Sequence, residues 1–319
     1  MSESKLIIVA LGGNAITKPD EQGNVDQQFA NSRAAAEKLA DLIQAGHQLV
    51  ITHGNGPQIG NFMLRNELAA EAIYPLPMEV AVAHVQGGMG YMIAQTFINE
   101  LSARGINQVV TTVVTTVLVD RDDPSFKDPS KPIGRILDKE EAHRFADDEG
   151  WVIKEVGPQQ YRRAVPSPHP QRILEIEHIR RAVQAGELLV TCGGGGIPVI
   201  DDPKQGLCGT RAVIDKDLAS SLLAIELDAD AMLILTNIDR VRINFRKPDE
   251  REVDAMTVGQ AQTWLDEDQF PAGSMGPKIE GAITFLSASD KPDAHVIIGP
   301  LDRAADAVAG RTGTRITKS

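Results

Sequence analysis

The chain has 319 residues, 42% of them hydrophobic, enough to fill the core of one large α/β domain or two lobes. Its 44 acidic against 32 basic residues leave a net charge of −12, which disfavours a broad nucleic-acid interface but does not prevent a few local lysines from holding a small anion in a cleft. Its two cysteines, Cys192 and Cys208, form neither a disulfide framework nor a C-x-x-C pair, so no covalent staple and no protein-held metal site is expected.

The first stretch, MSESKLIIVALGGNAI, is too short and too interrupted for a signal sequence or a membrane span. With the cysteine usage, this predicts a soluble, cytoplasmic chain without a membrane partner. Short runs of Val, Ile and Leu alternate with helical patterns, as in βα units around a mainly parallel sheet covered on both faces. Strands are predicted at Leu6 to Leu11, Gln48 to His53, Val109 to Val119, Leu188 to Cys192, Met232 to Thr236 and Val296 to Gly299. One helix face is read from Ile176, Ile179 and Val183, another from Leu218, Leu222 and Ile225 starting near Asp215. Between residues 120 and 170, seven prolines and many charges break the pattern, which reads as an inserted subdomain or lid without a conventional packed core. The chain thus divides into an N-lobe (1–119), the insertion (120–170) and a C-lobe (171–319).

In open parallel sheets, ligands gather beyond the carboxyl ends of the strands, and the unusual residues of this chain lie there. The first strand runs into Gly12-Gly13-Asn14-Ala15 and the second into His53-Gly54-Asn55-Gly56-Pro57. Each alone reads equally as a tight βα turn, but a pair followed by helices can cradle a phosphoryl group between two helix N-termini. His53 reads as structural rather than as an acid or base. The run Cys192 to Pro198 holds four consecutive glycines, whose ordering cost implies that something approaches the backbone closely. Cys192 reads as a small buried hydrophobe.

Two lysines are placed against the helix dipole. Lys216 follows Asp215, a helix cap, and Lys278 follows Gly276-Pro277, so both fall in first turns where a cation is unfavourable unless an anion is bound. Asp217 is placed to orient Lys216. Each lysine taken singly also reads as a solvated side chain, as does Lys131 in the proline-rich insertion. No G-x-x-x-x-G-K-[ST] occurs and Gly54 to Gly60 misses G-x-G-x-x-G by one residue, so P-loop NTPases and simple dinucleotide enzymes are disfavoured.

Taken in order, ALGGNAI, HGNGPQIG, KPIG, VPSP, CGGGGIPV, VIDKD, LTNIDRV and GSMGPKIEGA resemble the carbamate kinases of the amino acid kinase superfamily, from about Leu6 to the C-terminus. The resemblance implies a three-layer αβα sandwich with a protruding subdomain. It implies reversible phosphoryl transfer between carbamoyl phosphate and ADP, giving ATP and carbamate, with Mg²⁺ bound mainly through the nucleotide, in a homodimer. It also implies roles: Lys131, Lys216 and Lys278 stabilise the transferring group and Asp217 organises the lysines. Gly12, Gly13, Asn14, Gly54 and Asn55 surround carbamoyl phosphate. Lys216, Asn237, Asp239, Val241, Met275, Gly276 and Lys278 border the nucleotide. Phosphoryl transfer needs positioning and cations more than covalent help, so lysines and backbone N–H groups suffice without a catalytic triad. The competing readings are another amino acid kinase, acting on glutamate or N-acetylglutamate, and a metabolite sensor on the same fold without turnover. A larger amino acid would need binding groups that the sequence does not display, and a sensor would be free to lose the lysines.

Overall fold

The computed structural model describes residues 4–17, 21–271 and 273–319, with the side chains of Asn14 and Ala15 outside the description. The assignment of Asn14 to the substrate therefore concerns a side chain outside the described residues.

Strand β1 (Leu6–Leu11) shows why the core runs are continuously apolar. Ile7, Val9 and Leu11 enter a cluster with Leu39, Ile59, Ile93 and Phe97, while Ile8 and Ala10 enter a second cluster with Ile179, Leu223, Ile279 and Phe285 on the opposite face. Helices α1 (Gly13–Ile16) and α2 (Val25–Gln44) follow, the latter started by an Asn24–Gln27 capping box. Strand β2 (Gln48–His53) leads to α3 (Gly56–Leu68), with Pro57 in its first turn, and to the long α4 (Met78–Ala103).

The predicted strand from Val109 to Val119 is two strands in different sheets, β3 (Val110–Thr112) and β4 (Thr116–Val119). A buried side chain sits at the break: Gln86 of α4 accepts from the Thr115 N–H at 2.9 Å and donates at 3.1 Å to the Thr115 carbonyl, which also takes the Ile197 N–H of the second sheet at 2.8 Å.

The insertion is more regular than its prolines suggested. It holds β5 (Lys131–Leu137), α5 (Lys139–Glu149) capped by Asp138, β6 (Val152–Gly157) and β7 (Gln160–Val165), with the strands in an antiparallel sheet of order β5-β7-β6. Ile133 and Val165 form a small apolar cluster with Met78 and Val213 of the main body, and Phe145 stacks on Trp151 at 4.4 Å. Pro170, read from sequence as the end of the insertion, begins β8 (Pro170–Ile173), which pairs with β4.

The C-terminal half comprises α6 (Ile176–Gln184), β9 (Leu188–Val190), β10 (Ile197–Asp202), β11 (Gly206–Gly209), α7 (Lys216–Glu226), β12 (Ala231–Thr236), β13 (Val241–Ile243), β14 (Arg251–Val253), β15 (Ala255–Thr257), α8 (Val258–Asp266), α9 (Gly276–Ala288), β16 (His295–Pro300), α10 (Ala304–Val308) and β17 (Thr314–Thr317). The predicted apolar face of α7 needs correcting: Leu218, Leu222 and Ile225 are half-buried, and the deeply buried positions are Asp217, Ala219, Ser220, Ser221, Leu223 and Ala224. Small residues sit there because α7 lies close against β1 and α9, and Ser220 Oγ meets Thr52 Oγ1 of β2 at 2.6 Å.

The eight-stranded central sheet has the order β15-β17-β16-β12-β1-β2-β9-β3, parallel except at the β16–β17 junction, with helices on both faces. This is the expected three-layer α/β sandwich with a mainly parallel sheet. It matters for function because β1, β2 and β12 are neighbours, so the turns after Leu11, His53 and Thr236 emerge side by side. Among the described residues no helix is long and apolar enough to cross a membrane.

Candidate phosphoryl-transfer site

Those turns open onto a cavity of about 420 Å³. Its walls are Gly12 and Gly13, Gly54 to Pro57, the first residues of β5 (Lys131 to Ile133), Gly194, Val213 to Asp217, Leu235 to Ile238, and Gly273 to Met275 with Lys278. A second cavity of about 380 Å³ shares Asn237, Ile238, Ser274 and Met275 with it and adds Asp239, Arg240, Arg242 and Phe245. The two cavities adjoin through these four shared residues.

The floor of the first cavity is ionic. Asp215 caps α7 by accepting the Asp217 N–H at 2.8 Å. Lys216, the first helical residue, turns back so that its ammonium pairs with Asp217 Oδ1, while Lys278, in the first turn of α9, donates to Asp217 Oδ2 at 2.8 Å. Asp217 is only 2% exposed, so each of its oxygens holds one ammonium away from bulk water. Lys131 reaches in from β5 and donates to Asp215 Oδ2. Three ammonium groups against two carboxylates leave one net positive charge, an arrangement suited to a phosphoryl anion.

Burial alone would push the Asp217 carboxyl up, but Lys216 and Lys278 outweigh it and hold the group well below the ordinary carboxylate range. The two lysines move in opposite directions. Burial lowers Lys216, with Lys278 adding to the fall and Asp217 opposing it; at the less enclosed Lys278, Asp217 overcomes burial and raises the group. His53, behind the second glycine turn, is pushed down to about 4 by burial, with the Lys216 charge adding to the fall, so it is a neutral structural side chain at ordinary pH.

The glycine turns are explained by close approach. A Cβ at Gly54 would lie 3.1 Å from the Gly13 nitrogen and 3.3 Å from Lys216 Cδ, so a larger residue there would displace the first turn or the lysine. Two of the expected anion donors are already taken: the N–H of Gly12 donates to Leu235 O at 3.1 Å and that of Gly54 to Leu11 O at 3.0 Å, extending the sheet ladders. Asn55 offers a replacement, since it is 3% exposed, lines the cavity, and its Nδ2 has no hydrogen-bond partner among the described residues.

The four-glycine run is crowded by the protein itself. A Cβ at Gly193 would meet His53 Nε2 at 2.4 Å, one at Gly194 would meet Asn55 Nδ2 at 2.0 Å, and one at Gly195 would meet Ile214 O at 2.4 Å. Of the four, Gly194 lines the cavity. The run shapes the wall behind Asn55. Beside it, burial pushes the Cys192 thiol up to about 12.

The structure thus gathers Gly12, Gly13, Gly54, Asn55, Lys131, Lys216, Asp217, Asn237, Met275 and Lys278 around one cavity and places Asp239 in its neighbour. Two predicted nucleotide-border residues lie elsewhere. Val241 is fully buried, its N–H bonded to Thr314 Oγ1 at 2.8 Å, and Gly276 is buried at the start of α9 without lining either cavity. Sequence reasoning treated Asp215 only as a cap and missed its ion pair with Lys131. It also missed Ser274, which lines both cavities from within the GSMGPK motif. Among the described residues no cluster of three or more His, Cys, Asp or Glu is placed to hold a metal ion.

The amino acid kinase family model matches residues 5–298. The carbamate kinase of Thermococcus kodakarensis is 42% identical over 318 residues, covering 98% of this chain and 99% of that protein. The carbamate kinase of Clostridium perfringens is 44% identical over 315 residues, again covering 98% of this chain and 99% of its own length. The solved structure of carbamate kinase from Giardia lamblia bound to AMP-PNP superposes with a TM-score of 0.91 at 39% identity, over 100% of both chains. With the ionic floor, the paired glycine turns and full-length similarity in agreement, the chain belongs to the amino acid kinase family and, within it, to the carbamate kinases.

Proposed function

We propose that this chain transfers a phosphoryl group reversibly between carbamoyl phosphate and ADP, giving carbamate and ATP. The observation that carries the reading is the convergence of Lys131, Lys216 and Lys278, from three distant segments, on the two carboxylates of one cavity floor. In the forward direction an oxygen of the ADP terminal phosphate attacks phosphorus, the bond from phosphorus to the carbamoyl oxygen breaks, and carbamate leaves. Lys216 and Lys278 meet the charge on the equatorial oxygens, and Lys131 closes over the group from the subdomain side. Asp217 keeps the first two ammoniums apart and aimed. Asn55, with Gly13 and Gly54, borders the carbamoyl end, while Asn237, Asp239, Ser274 and Met275 border the nucleotide, consistent with the AMP-PNP carried by the Giardia relative.

The carboxylates of the floor do not suit a protein-held Mg²⁺: both oxygens of Asp217 hold lysines, and those of Asp215 hold Lys131 and the helix cap. The cation in this reading arrives on the nucleotide phosphates, as part of the substrate. We take residues 120–170 as a lid, since they carry Lys131 and rest on the main body through a small apolar cluster. Slower hydrogen exchange across this segment when ADP and a carbamoyl phosphate analogue are both bound is the expected sign; full protection in the free protein would overturn the lid. We also take the protein as a cytoplasmic homodimer, with exposed Tyr91 and Ile98 on α4 and Val109 beside β3 as the apolar surface for the second copy.

The deciding assay couples ATP formation to a dye-linked readout, with ADP and carbamoyl phosphate as substrates and acetyl phosphate beside them. ATP consumption with glutamate and with N-acetylglutamate runs in parallel. Turnover of carbamoyl phosphate well above the others is expected, and a preference for either amino acid would overturn the assignment.

A further inference from the structure

We infer that Asp215 is a positioning residue for Lys131, holding the subdomain's lysine over the phosphoryl site in addition to capping α7. Its two oxygens have separate tasks. Oδ1 accepts the Asp217 N–H at 2.8 Å, which sets the first turn of α7, and Oδ2 accepts the Lys131 ammonium. The Asp215 side chain is 10% exposed and that of Lys131 is 31% exposed, and both line the cavity, so the pair is largely withdrawn from free solvent. Among the described residues, Asp215 is the only ion-pair partner of Lys131.

The pairing has a consequence for assembly of the site. Lys131 is the first residue of β5, in the small antiparallel sheet, whereas the rest of the floor lies at the starts of α7 and α9. A lysine in that position has a long, freely rotating stem, and without a fixed carboxylate its ammonium would sample solvent as readily as the cavity. Asp215 supplies that carboxylate, and through its other oxygen it fixes the backbone of Asp217, which in turn holds Lys216 and Lys278. One side chain therefore places the lid lysine relative to the two lysines of the C-lobe.

This inference rests on the phosphotransferase reading of the site, and its test separates the two. Asp215→Asn keeps an oxygen for the cap, because Asn caps helices as well as Asp, but removes the charge that holds Lys131; Asp215→Ser provides the same separation in a second variant. In the carbamoyl phosphate and ADP assay, Asp215→Asn should lower kcat about tenfold or more, with KM for ADP within about twofold of the parent and an unchanged melting temperature. Lys131→Ala should lower kcat as well, and the double variant should be no slower than Lys131→Ala alone, since residues acting through one another do not add. A parental kcat in both Asp215 variants, or additive losses in the double variant, would overturn the inference. A readout that needs no turnover is the rate at which an amine-reactive ester acylates Lys131, followed by mass spectrometry. Acylation should be faster in Asp215→Asn, and an unchanged rate would overturn the pairing. If the parent protein makes no ATP from carbamoyl phosphate, the phosphotransferase reading fails while the acylation result still decides whether Asp215 holds Lys131.

Discussion

Replacing Asp217 by Asn tests the ionic floor most directly. The carboxylate lies 2% exposed between Lys216 and Lys278, one ammonium on each oxygen. The change removes one negative charge and takes this trio from a net +1 to a net +2. It also turns an amide NH₂ toward an ammonium, where it can only repel. At an effective dielectric constant near 20, two like charges about 5 Å apart repel by about 3 kcal/mol, a term that the shared carboxylate offsets in the parent. The group able to relieve this is Lys216, which burial already lowers from its ordinary value, with Lys278 adding to the fall. In the variant, Lys216 should shed its proton at a lower pH than in the parent.

Two results follow. Near neutral pH kcat should fall by about 100-fold or more, the loss expected when transition-state charge contacts are misplaced, while KM for ADP changes little because Asn237, Ser274 and Met275 are untouched. The pH dependence should also change shape: a lysine with a lowered pKa is charged below that pKa, so the variant should lose activity as pH rises through a range in which the parent is flat, and regain part of it on acidification. The assay is ATP formation at saturating substrate across pH, with melting temperature measured on the same samples. A variant with parental kcat, or one whose profile runs parallel to the parent's, would refute the assignment of Asp217 as organiser of the lysines.

Lys216→Ala and Lys278→Ala should each slow turnover by about 100-fold or more with an unchanged circular dichroism spectrum, and near-parental rates in both would remove the basis for the phosphotransferase site. Gly60→Ala probes how the subdomain rests on α3, since a Cβ there would lie 2.8 Å from Gly134 Cα and 3.1 Å from its nitrogen. The expected loss of stability is about 1–3 kcal/mol, with reduced kcat because Gly134 shares β5 with Lys131; parental melting temperature and rate would show that the two backbones part freely. His295 is pushed down to about 4 by burial, opposed by its contact with Asp293 O at 2.9 Å. Between about pH 6.5 and 4 the unfolded chain therefore binds a proton that the folded chain does not, so stability should rise with pH across that window. His295→Gln should flatten the slope by about 1.4 kcal/mol per pH unit, and an unchanged slope in denaturant titrations would refute the linkage.

The apolar runs at Leu6 to Leu11, Gln48 to His53 and Met232 to Thr236 were legible as central strands because burial on both faces of a parallel sheet leaves no polar alternation. Lys216 and Lys278 stood out for a local reason as well, being cations in the first turns of helices. What the chain could not declare on its own was spatial. The segment from Val109 to Val119 has the composition of one strand, and Gln86, far away in sequence, sits at its break. The four-glycine run signals a close approach without saying by what, and the atoms nearest its four positions belong to His53, Asn55, Ile214 and Val117. Val241 and Gly276 sit inside or beside motif segments, yet packing turns them away from the cavities. Lys131 and Asp215 each have an ordinary local explanation, a surface lysine and a helix cap. The layers, the places of the central strands and the two helix-start lysines were readable from the residues because each is written in periodicity or helix position over a few positions. For Lys131 the residues offered only a resemblance to the carbamate kinases; its ion pair with Asp215 spans 84 residues and forms once β5 is seated beside the start of α7, so the fold had to supply it.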